Sequence, residues 1–364
     1  MCLNYLQEKH FHNFQTHSSI FNVGYFNIDG LRDVFLFANY NANSAKYVKK
    51  QNIDLVSFSI TDEALKPNFK NLDLAGLPSK IDGLFCISTI VSLENDKNIL
   101  ITHFADSLDK IGESFARIDL DLLPVMIKEI VFWDERDEML ATAFLLCGDS
   151  TNPSELDTDL EDEELIFTRL KVFNFKQSSE LNEMSVSEVV QKFPEFCYLP
   201  TKDIVMSFDS IVDSAAYMRY CVFGTLEASF LVTQTDMKNV IKKVESSQSF
   251  MILEVRFMPN FKDILVVSTI EPAVIYSNIF EECSDDDLSS MLVRNQVVLE
   301  RSNHHDCITS VALFDVDLDG EEELIIGTFD SNLLCFKRQL TNNQYESVSP
   351  LNDCFLSLHL FQSG

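Results

Sequence analysis

A short acidic stretch near the end of the sequence has the residue types and the spacing of a calcium-binding turn. In "DVDLDGEEE", residues 315–323, oxygen-bearing side chains occupy positions 1, 3, 5 and 9, and Gly320 occupies position 6. Calcium takes about six to eight oxygen ligands, and a glycine at the sharpest point lets the backbone reverse around the ion. The carbonyl group of residue 321 can add a ligand. The candidate calcium ligands are therefore Asp315, Asp317, Asp319, Glu321 and Glu323.

The segments on both sides of this turn indicate strands, whereas an EF-hand is flanked by helices. An EF-hand also needs a bidentate glutamate at position 12, and that position is Ile326 in this sequence. The flanks, "ITSVALF" (308–314) and "LIIGTF" (324–329), are apolar and β-branched, as is typical of paired strands. We therefore predict a hairpin whose turn either binds calcium or is held by hydrogen bonds of its aspartate side chains alone.

The same carboxylates are poorly arranged for catalysis. They follow one another in a single turn, whereas glycoside hydrolysis needs two carboxylates on opposite sides of a substrate. The sequence contains none of the GxSxG, HExxH, P-loop or GxGxxG motifs of common enzyme classes. We therefore predict no enzymatic activity, no catalytic residues and no required cofactor.

The hairpin belongs to a three-stranded unit, residues 308–338, that recurs along the chain. The clearest copy is 21–50, in which the acidic turn at 27–33 aligns with 317–323. Looser copies lie at 80–104, 129–149, 203–234 and 250–277. Such repetition predicts a β-propeller, because each small sheet can bury its faces only against its neighbours.

The expected fold is all-β, a β-propeller of about seven blades whose last blade is incomplete. After the recurring units, the sequence offers one further strand, at 354–361. We expect a single propeller domain, 18–364, after an N-terminal segment, 1–17. Two acidic stretches, 155–165 and 281–288, fall between units and are predicted to be solvated loops; a docking strip for a basic partner is the alternative.

Composition and charge disfavour several classes of partner. The chain has 364 residues and a formal net charge of −29, from 57 acidic and 28 basic side chains. Such a surface repels phosphate groups, so we expect no binding to nucleic acid and no direct membrane insertion. The first residues lack the pattern of a signal peptide, and the nine cysteines, an odd number without CxxC spacing, suit reduced thiols. These features predict a soluble cytoplasmic protein.

Two segments carry a family resemblance when they occur together. They are "VSTIEPAVIY" (267–276) and "VALFDVDLDGEEELIIGTFDSNLLCFKR" (311–338). The shorter segments "TAFLLCGD" (142–149) and "KFPEF" (192–196) precede them in the family's order. In these residues the chain resembles the kaptin family, whose members are FG-GAP-like, integrin-alpha-like β-propeller subunits of the KICSTOR complex.

The resemblance implies a non-enzymatic scaffold or adaptor subunit. Its implied role is negative regulation of TOR complex 1 signalling when amino acids or glucose run short. The implied partners are a second FG-GAP propeller protein, a large KICSTOR scaffold and the GATOR complex. The implied location is the cytoplasm, with recruitment to the lysosomal membrane surface.

Two other function classes stay open. An actin-binding cytoskeletal protein is the main alternative, although the sequence offers no basic cluster suited to actin. An extracellular, integrin-like calcium propeller is the other, and the missing signal-peptide pattern disfavours it. The incomplete last blade adds a further expectation. It predicts exposed apolar surface around residues 324–329 and 333–337, which either the strand before Asn27 would cover, closing the ring, or a partner chain, the alternative that we favour.

Overall fold

The computed structural model of the chain describes its strands and part of its connections. The described ranges are 23–28, 32–39, 44–49, 55–59, 69–76, 85–93, 98–105, 115–134, 139–150, 166–176, 180–236, 238–258, 262–280, 296–299, 302, 304, 306–314, 322–330, 332–338 and 345–348.

Within these ranges the strands form six sheets, each made of four consecutive antiparallel strands. The chain divides into two compact units between Lys202 and Asp203, with sheets 1–3 in the first unit and sheets 4–6 in the second. Each sheet contains one of the recurring units of the sequence. The predicted all-β class and its repeat are therefore confirmed.

The first unit contains strands β1 to β12. Sheet 1 consists of β1 (Val23–Ile28), β2 (Arg32–Asn39), β3 (Ser44–Lys49) and β4 (Leu55–Ser59). Sheet 2 consists of β5 (Phe69–Gly76), β6 (Phe85–Leu93), β7 (Asn98–Ala105) and β8 (Phe115–Leu120). Sheet 3 consists of β9 (Leu122–Asp134), β10 (Met139–Ser150), β11 (Leu170–Lys176) and β12 (Glu180–Glu183).

The second unit contains strands β13 to β24. Sheet 4 consists of β13 (Val205–Asp213), β14 (Met218–Thr225), β15 (Ser229–Thr235) and β16 (Val240–Ser247). Sheet 5 consists of β17 (Ile252–Phe257), β18 (Ile264–Ser268), β19 (Val274–Tyr276) and β20 (Gln296–Val298). Sheet 6 consists of β21 (Ile308–Phe314), β22 (Glu323–Thr328), β23 (Leu333–Arg338) and β24 (Tyr345–Val348).

A short helical segment follows sheet 3 in the first unit. Helix α1 (Val186–Lys192) begins at a capping box, in which Ser185 Oγ accepts a hydrogen bond from Glu188 N and the Glu188 carboxylate accepts one from Ser185 N. This reciprocal pair satisfies two backbone donors that a helix start otherwise leaves open. A 3-10 helix, Pro194–Tyr198, comes next, and the buried Phe193 between the two helices stacks on Phe196.

Strand β18 of sheet 5 is buried on both of its faces, which explains its apolar run. Ile264 and Val266 belong to the core shared with sheet 4. Leu265 and Val267 belong to the core shared with sheet 6. Because neighbouring side chains of a strand point to opposite faces, a strand between two sheets favours apolar residues at successive positions, here Ile264 to Val267.

Most of the apolar side chains of residues 324–329 and 333–337 that were expected to be exposed are buried in sheet 6. Leu324, Ile326, Leu334 and Phe336 are buried in the core shared with sheet 5. Phe329, directly after β22, is 69% exposed. The expected exposure is therefore wrong for the face that carries these four residues, because sheet 5 covers it, whereas Ile325 and Leu333 are half-buried. It holds for the turn that follows β22.

Several predicted features lie outside the described residues. They are the strand at 354–361, which would belong to the incomplete last blade, the acidic stretches 155–165 and 281–288, and the N-terminal segment 1–17. The single domain over 18–364 stays a prediction. Among the described residues, no helix has the length and apolar character needed to cross a bilayer.

Candidate functional site

The candidate calcium turn connects two strands that pair as the sequence predicts. Strands β21 and β22 are antiparallel, and Phe314 lies opposite Glu323. The structure describes the side chain of Glu323, and the other candidate ligands lie outside the described residues: Asp315, Asp317, Asp319 and Glu321. In the part of the chain that is described, no group of three or more His, Cys, Asp and Glu side chains could hold a metal ion. The calcium site therefore stays a prediction.

Glu323 begins β22 with a buried carboxylate. The residue is 2% exposed, and its Oε1 atom lies 2.9 Å from Nζ of Lys337 on the neighbouring strand β23. A buried carboxylate is costly unless a cation compensates its charge, and Lys337 does so here. The oxygen chemistry of Glu323 suits calcium, but an ion in the turn would have to share this carboxylate with Lys337.

The segment 271–276, "EPAVIY", connects sheet 5 to its surroundings. Ala273 N donates a hydrogen bond to Ser302 Oγ at 2.9 Å, and this hydroxyl in turn donates to a main-chain carbonyl at 2.7 Å. At the other end of the segment, Tyr276 OH accepts a hydrogen bond from Gln248 Nε2 at 2.6 Å. These bonds tie the segment to the chain before β17 and to the chain before β21, so its residues stabilise the fold.

The second and third strands of sheets 4, 5 and 6 are joined by turns of similar sequence. We define turn 1 as residues 225–228, turn 2 as 269–273 and turn 3 as 328–332. Each turn begins with a threonine, followed by an apolar residue and then a carboxylate residue: Thr225-Leu226-Glu227, Thr269-Ile270-Glu271 and Thr328-Phe329-Asp330. The sequence analysis covers these residues within longer segments but does not identify the three turns as equivalent. The signal appears when the strand ends "GTLEAS", "STIEPA" and "GTFDSN" are aligned.

In turns 1 and 3 the threonine hydroxyl accepts a hydrogen bond from a backbone N–H on the other side of the turn. Thr225 Oγ1 accepts a hydrogen bond from Ser229 N at 3.1 Å. Thr328 Oγ1 accepts one from Asn332 N at 3.2 Å. Because the hydroxyl points into the turn in both cases, the backbone leaves the next side chain, the apolar one, in solvent.

Burial and ion pairing shift three titratable groups of the first unit. Burial raises the pKa of the Glu129 carboxyl on β9 to about 7, and it raises the pKa of the Cys147 thiol on β10 far above its usual range. Burial alone would lower the pKa of Lys171, but hydrogen bonds and attraction from Glu183 and Asp121 outweigh it and raise that pKa. Cys147 therefore stays a neutral thiol, and Lys171 stays charged between its two carboxylates.

The sheets resemble a solved β-propeller. The Cps50 (Swd1) beta-propeller domain of Myceliophteria thermophila aligns with a TM-score of 0.50 over 92% of this chain and 86% of that chain, at 10% identity. The BBS1N chain of a crystal structure with ARL6DN aligns with a TM-score of 0.48 over 92% of this chain and 81% of that chain, at 7% identity. Together with the six four-stranded sheets, the first likeness confirms the predicted β-propeller fold, and it bears on the fold alone.

A family model matches the part of the chain that carries the two best-marked segments. The family model of KICSTOR complex protein kaptin matches residues 259–359, which include both the segment 271–276 and the acidic turn. Kaptin of Mus musculus is 23% identical over 248 residues, which cover 64% of this chain and 50% of the mouse protein. The chain thus spans about half the length of this curated relative. The predicted resemblance is confirmed: in sequence, this chain is similar to KICSTOR complex protein kaptin.

Proposed function

We propose that this chain is a non-enzymatic subunit of a KICSTOR-like complex and restrains TOR complex 1 when amino acids or glucose run short. The observation that carries the proposal is the match of residues 259–359 to the kaptin family. That range contains the acidic turn and the segment 271–276, the two stretches in which the resemblance is strongest. The mouse relative is named as a KICSTOR complex protein, which supports assignment to such a complex.

The contacts of the best-marked residues support a scaffold rather than a catalyst. The buried carboxylate of Glu323 is paired with Lys337 at 2.9 Å, and Ala273 and Tyr276 make hydrogen bonds that join sheet 5 to its neighbours. Groups engaged in this way stabilise strands and are not available to a substrate. We therefore infer that the family's marked positions maintain a propeller whose surface binds other proteins.

The proposed partners are a second FG-GAP propeller protein, a large KICSTOR scaffold and the GATOR complex. The proposed location is the cytoplasm, with recruitment to the lysosomal membrane surface through those partners. The net charge of −29 supports recruitment by protein, since an anionic leaflet would repel the chain itself. The likeness covers half of the mouse protein, so the partners of the whole family protein are proposals for this chain.

Affinity purification and a signalling assay test the proposal together. The full chain, tagged and returned to cells that lack it, should co-purify with KICSTOR subunits. Cells without the chain should keep TOR complex 1 active during amino-acid withdrawal, and the wild-type chain should restore its inactivation. Ile275→Asp, which puts a charge at a fully buried position of sheet 5, should fail to restore it, whereas the exposed Ile241→Ser should succeed.

The opposite outcome has a defined meaning. Normal inactivation of TOR complex 1 in cells without the chain contradicts the proposal. If the purified chain then co-sediments with filamentous actin, the actin-binding alternative replaces it.

A further inference from the structure

Three large apolar side chains stand in solvent at equivalent positions of the second unit. They are the second residues of turns 1, 2 and 3: Leu226 is 41% exposed, Ile270 is 60% exposed and Phe329 is 69% exposed. Apolar residues of this size are ordinarily buried, and a single exposed one needs no explanation. Repetition at the same position of three successive sheets is different, because it produces one row of apolar groups.

Hydrogen bonds show that turn 1 and turn 2 lie at the same end of the second unit. The connection 248–251 leads from β16 to β17. Its Gln248 N donates to the carbonyl oxygen of Ala228 in turn 1 at 2.8 Å. Its Ser249 N donates to the Glu271 carboxylate of turn 2 at 3.3 Å. One short connection therefore contacts both turns.

The chain after β20 joins turn 2 to turn 3 in the same way. Ser302 Oγ accepts a hydrogen bond from Ala273 N of turn 2 at 2.9 Å. The carbonyl oxygen of Cys307, five residues further along, accepts one from Phe329 N of turn 3 at 2.9 Å. These two connections thus link the three turns at one end of the second unit, and we call the surface that the described residues of the turns present the turn face. Phe250, 41% exposed in the connection 248–251, adds to it.

The turn face is acidic as well as apolar. Each exposed apolar residue is followed by a carboxylate residue: Glu227, Glu271 and Asp330. Glu227 and Asp330 are exposed, and Glu271 is half-buried. The sequence of the three turns contains neither lysine nor arginine. A surface of this kind repels phosphate and attracts cationic groups that can lie beside an apolar contact.

We propose that the turn face is a docking site for a segment of a partner protein in which apolar side chains alternate with lysine or arginine. The apolar side chains of the partner would cover Leu226, Ile270 and Phe329, and its cations would lie beside the neighbouring carboxylates. A second copy of this chain is a poor occupant, because it carries the same acidic surface and a net charge of −29. The proposal rests on the proposed function and specifies the surface through which the subunit would contact its partner.

A defined peptide tests the turn face without knowledge of the natural partner. The probe is a labelled peptide of alternating leucine and lysine, titrated against the purified full chain by fluorescence anisotropy. Two matched peptides carry glutamate in place of lysine, or serine in place of leucine. We expect the leucine–lysine peptide to bind at least about tenfold more tightly than either matched peptide, and salt should weaken its binding.

Variants then locate the binding site. Combined Leu226→Ser, Ile270→Ser and Phe329→Ser substitutions should weaken peptide binding about tenfold or more, and Glu227→Lys should weaken it severalfold. The matched control changes two exposed apolar residues of the same unit outside the turns, by Tyr217→Asn and Ile241→Ser, and should bind as the wild type does. Tyr217 has a φ of 53°, a conformation that asparagine tolerates.

Each result decides the inference. Equal loss of binding in the turn-face and control variants overturns it, and so does equal binding of the glutamate peptide. If the triple variant does not fold, Phe329→Ser alone replaces it, because this side chain is the most exposed of the three. If the chain co-purifies with KICSTOR subunits but does not bind the leucine–lysine peptide, the docking proposal is wrong and the proposed function is supported. If the chain binds the peptide selectively but co-purifies with no KICSTOR subunit, the docking proposal is supported and the proposed function is contradicted.

Discussion

Asp209 on β13 accepts a hydrogen bond from the backbone N–H of Phe257 on β17, with 2.8 Å between Oδ2 and the nitrogen. Two residues earlier on each strand, Ser207 Oγ accepts one from Val255 N at 3.0 Å. The two strands belong to different sheets and run in the same direction. Side-chain acceptors on the first strand of sheet 4 therefore hold the first strand of sheet 5.

Replacing Asp209 tests how much this connection contributes. Asp209→Ala should lower the free energy of unfolding by about 1–3 kcal/mol, because the N–H of Phe257 loses its acceptor. Asp209→Asn is the matched control and should lose less stability than Asp209→Ala, since its single amide oxygen can still accept from Phe257 N, although the bond from Ser210 N is lost. Chemical denaturation of the full chain measures both variants. An alanine variant as stable as the wild type contradicts the assigned role.

A second prediction concerns the close approach of sheets 4 and 5 at Gly224. A β-carbon added there would lie 2.5 Å from Ile252 Cγ2 and 2.9 Å from Val255 Cγ1, both in sheet 5. Gly224→Ala should therefore lower the free energy of unfolding by about 1–3 kcal/mol through overpacking. The equivalent residue of sheet 6, Gly327, provides the comparison. Its added β-carbon would meet Ser310 Oγ at 2.5 Å, and this small exposed side chain can rotate away.

Gly327→Ala should accordingly lower the free energy of unfolding by less than Gly224→Ala does. Thermal melts of both variants and of the wild type measure the difference. A larger loss at Gly327, or equal losses at both glycines, would show that the approach of the two sheets does not limit side-chain size.

A third prediction follows from the raised pKa of Glu129, about 7 in the folded chain against 4.5 for an ordinary glutamate. The folded state prefers the neutral carboxyl, so the stability that this group contributes is complete below pH 4.5 and is lost as the pH rises through 7. Glu129→Gln, which cannot ionise, should raise the free energy of unfolding at pH 8 by up to about 3 kcal/mol. Near pH 4 it should change little.

Urea denaturation at pH 4 and pH 8 measures this difference. Glu245→Gln, at an exposed position of β16, is the control and should change stability little at both pH values. If Glu129→Gln raises the free energy of unfolding equally at both pH values, the ionisation of this carboxyl does not oppose folding.

A fourth prediction tests calcium at the turn 315–323. If the turn holds calcium, removal of the ion by a chelator should lower the melting temperature of the full chain, and Asp317→Ala should abolish that response. Lys337→Met removes the cation that now neutralises Glu323, and should make the chain more dependent on calcium. Magnesium in place of calcium is the ion control. Identical melting temperatures with and without chelator would show that the turn is a structural hairpin without bound calcium.

The strands, the repeat and the acidic hairpin could be predicted because they rest on local patterns. The run "ITSVALF", the acidic turn and the run "LIIGTF" are contiguous, and a hairpin requires no information from elsewhere in the chain. The recurrence of that unit indicated a propeller, since small sheets of this kind must pack on one another. The resemblance to kaptin likewise came from contiguous motifs.

Long-range contacts were decided by the tertiary structure. Asp209 and Phe257 are 48 positions apart, so no local pattern marks the aspartate as an acceptor for that strand. Glu323 was predicted as a calcium ligand from spacing alone, and only the pairing of β22 with β23 brings it to Lys337. The sequence by itself determined which segments form strands and where they turn. Packing of sheet 5 on sheet 6 decided that Leu324 and Ile326 are buried while Phe329 meets solvent, because burial depends on which neighbour covers each face.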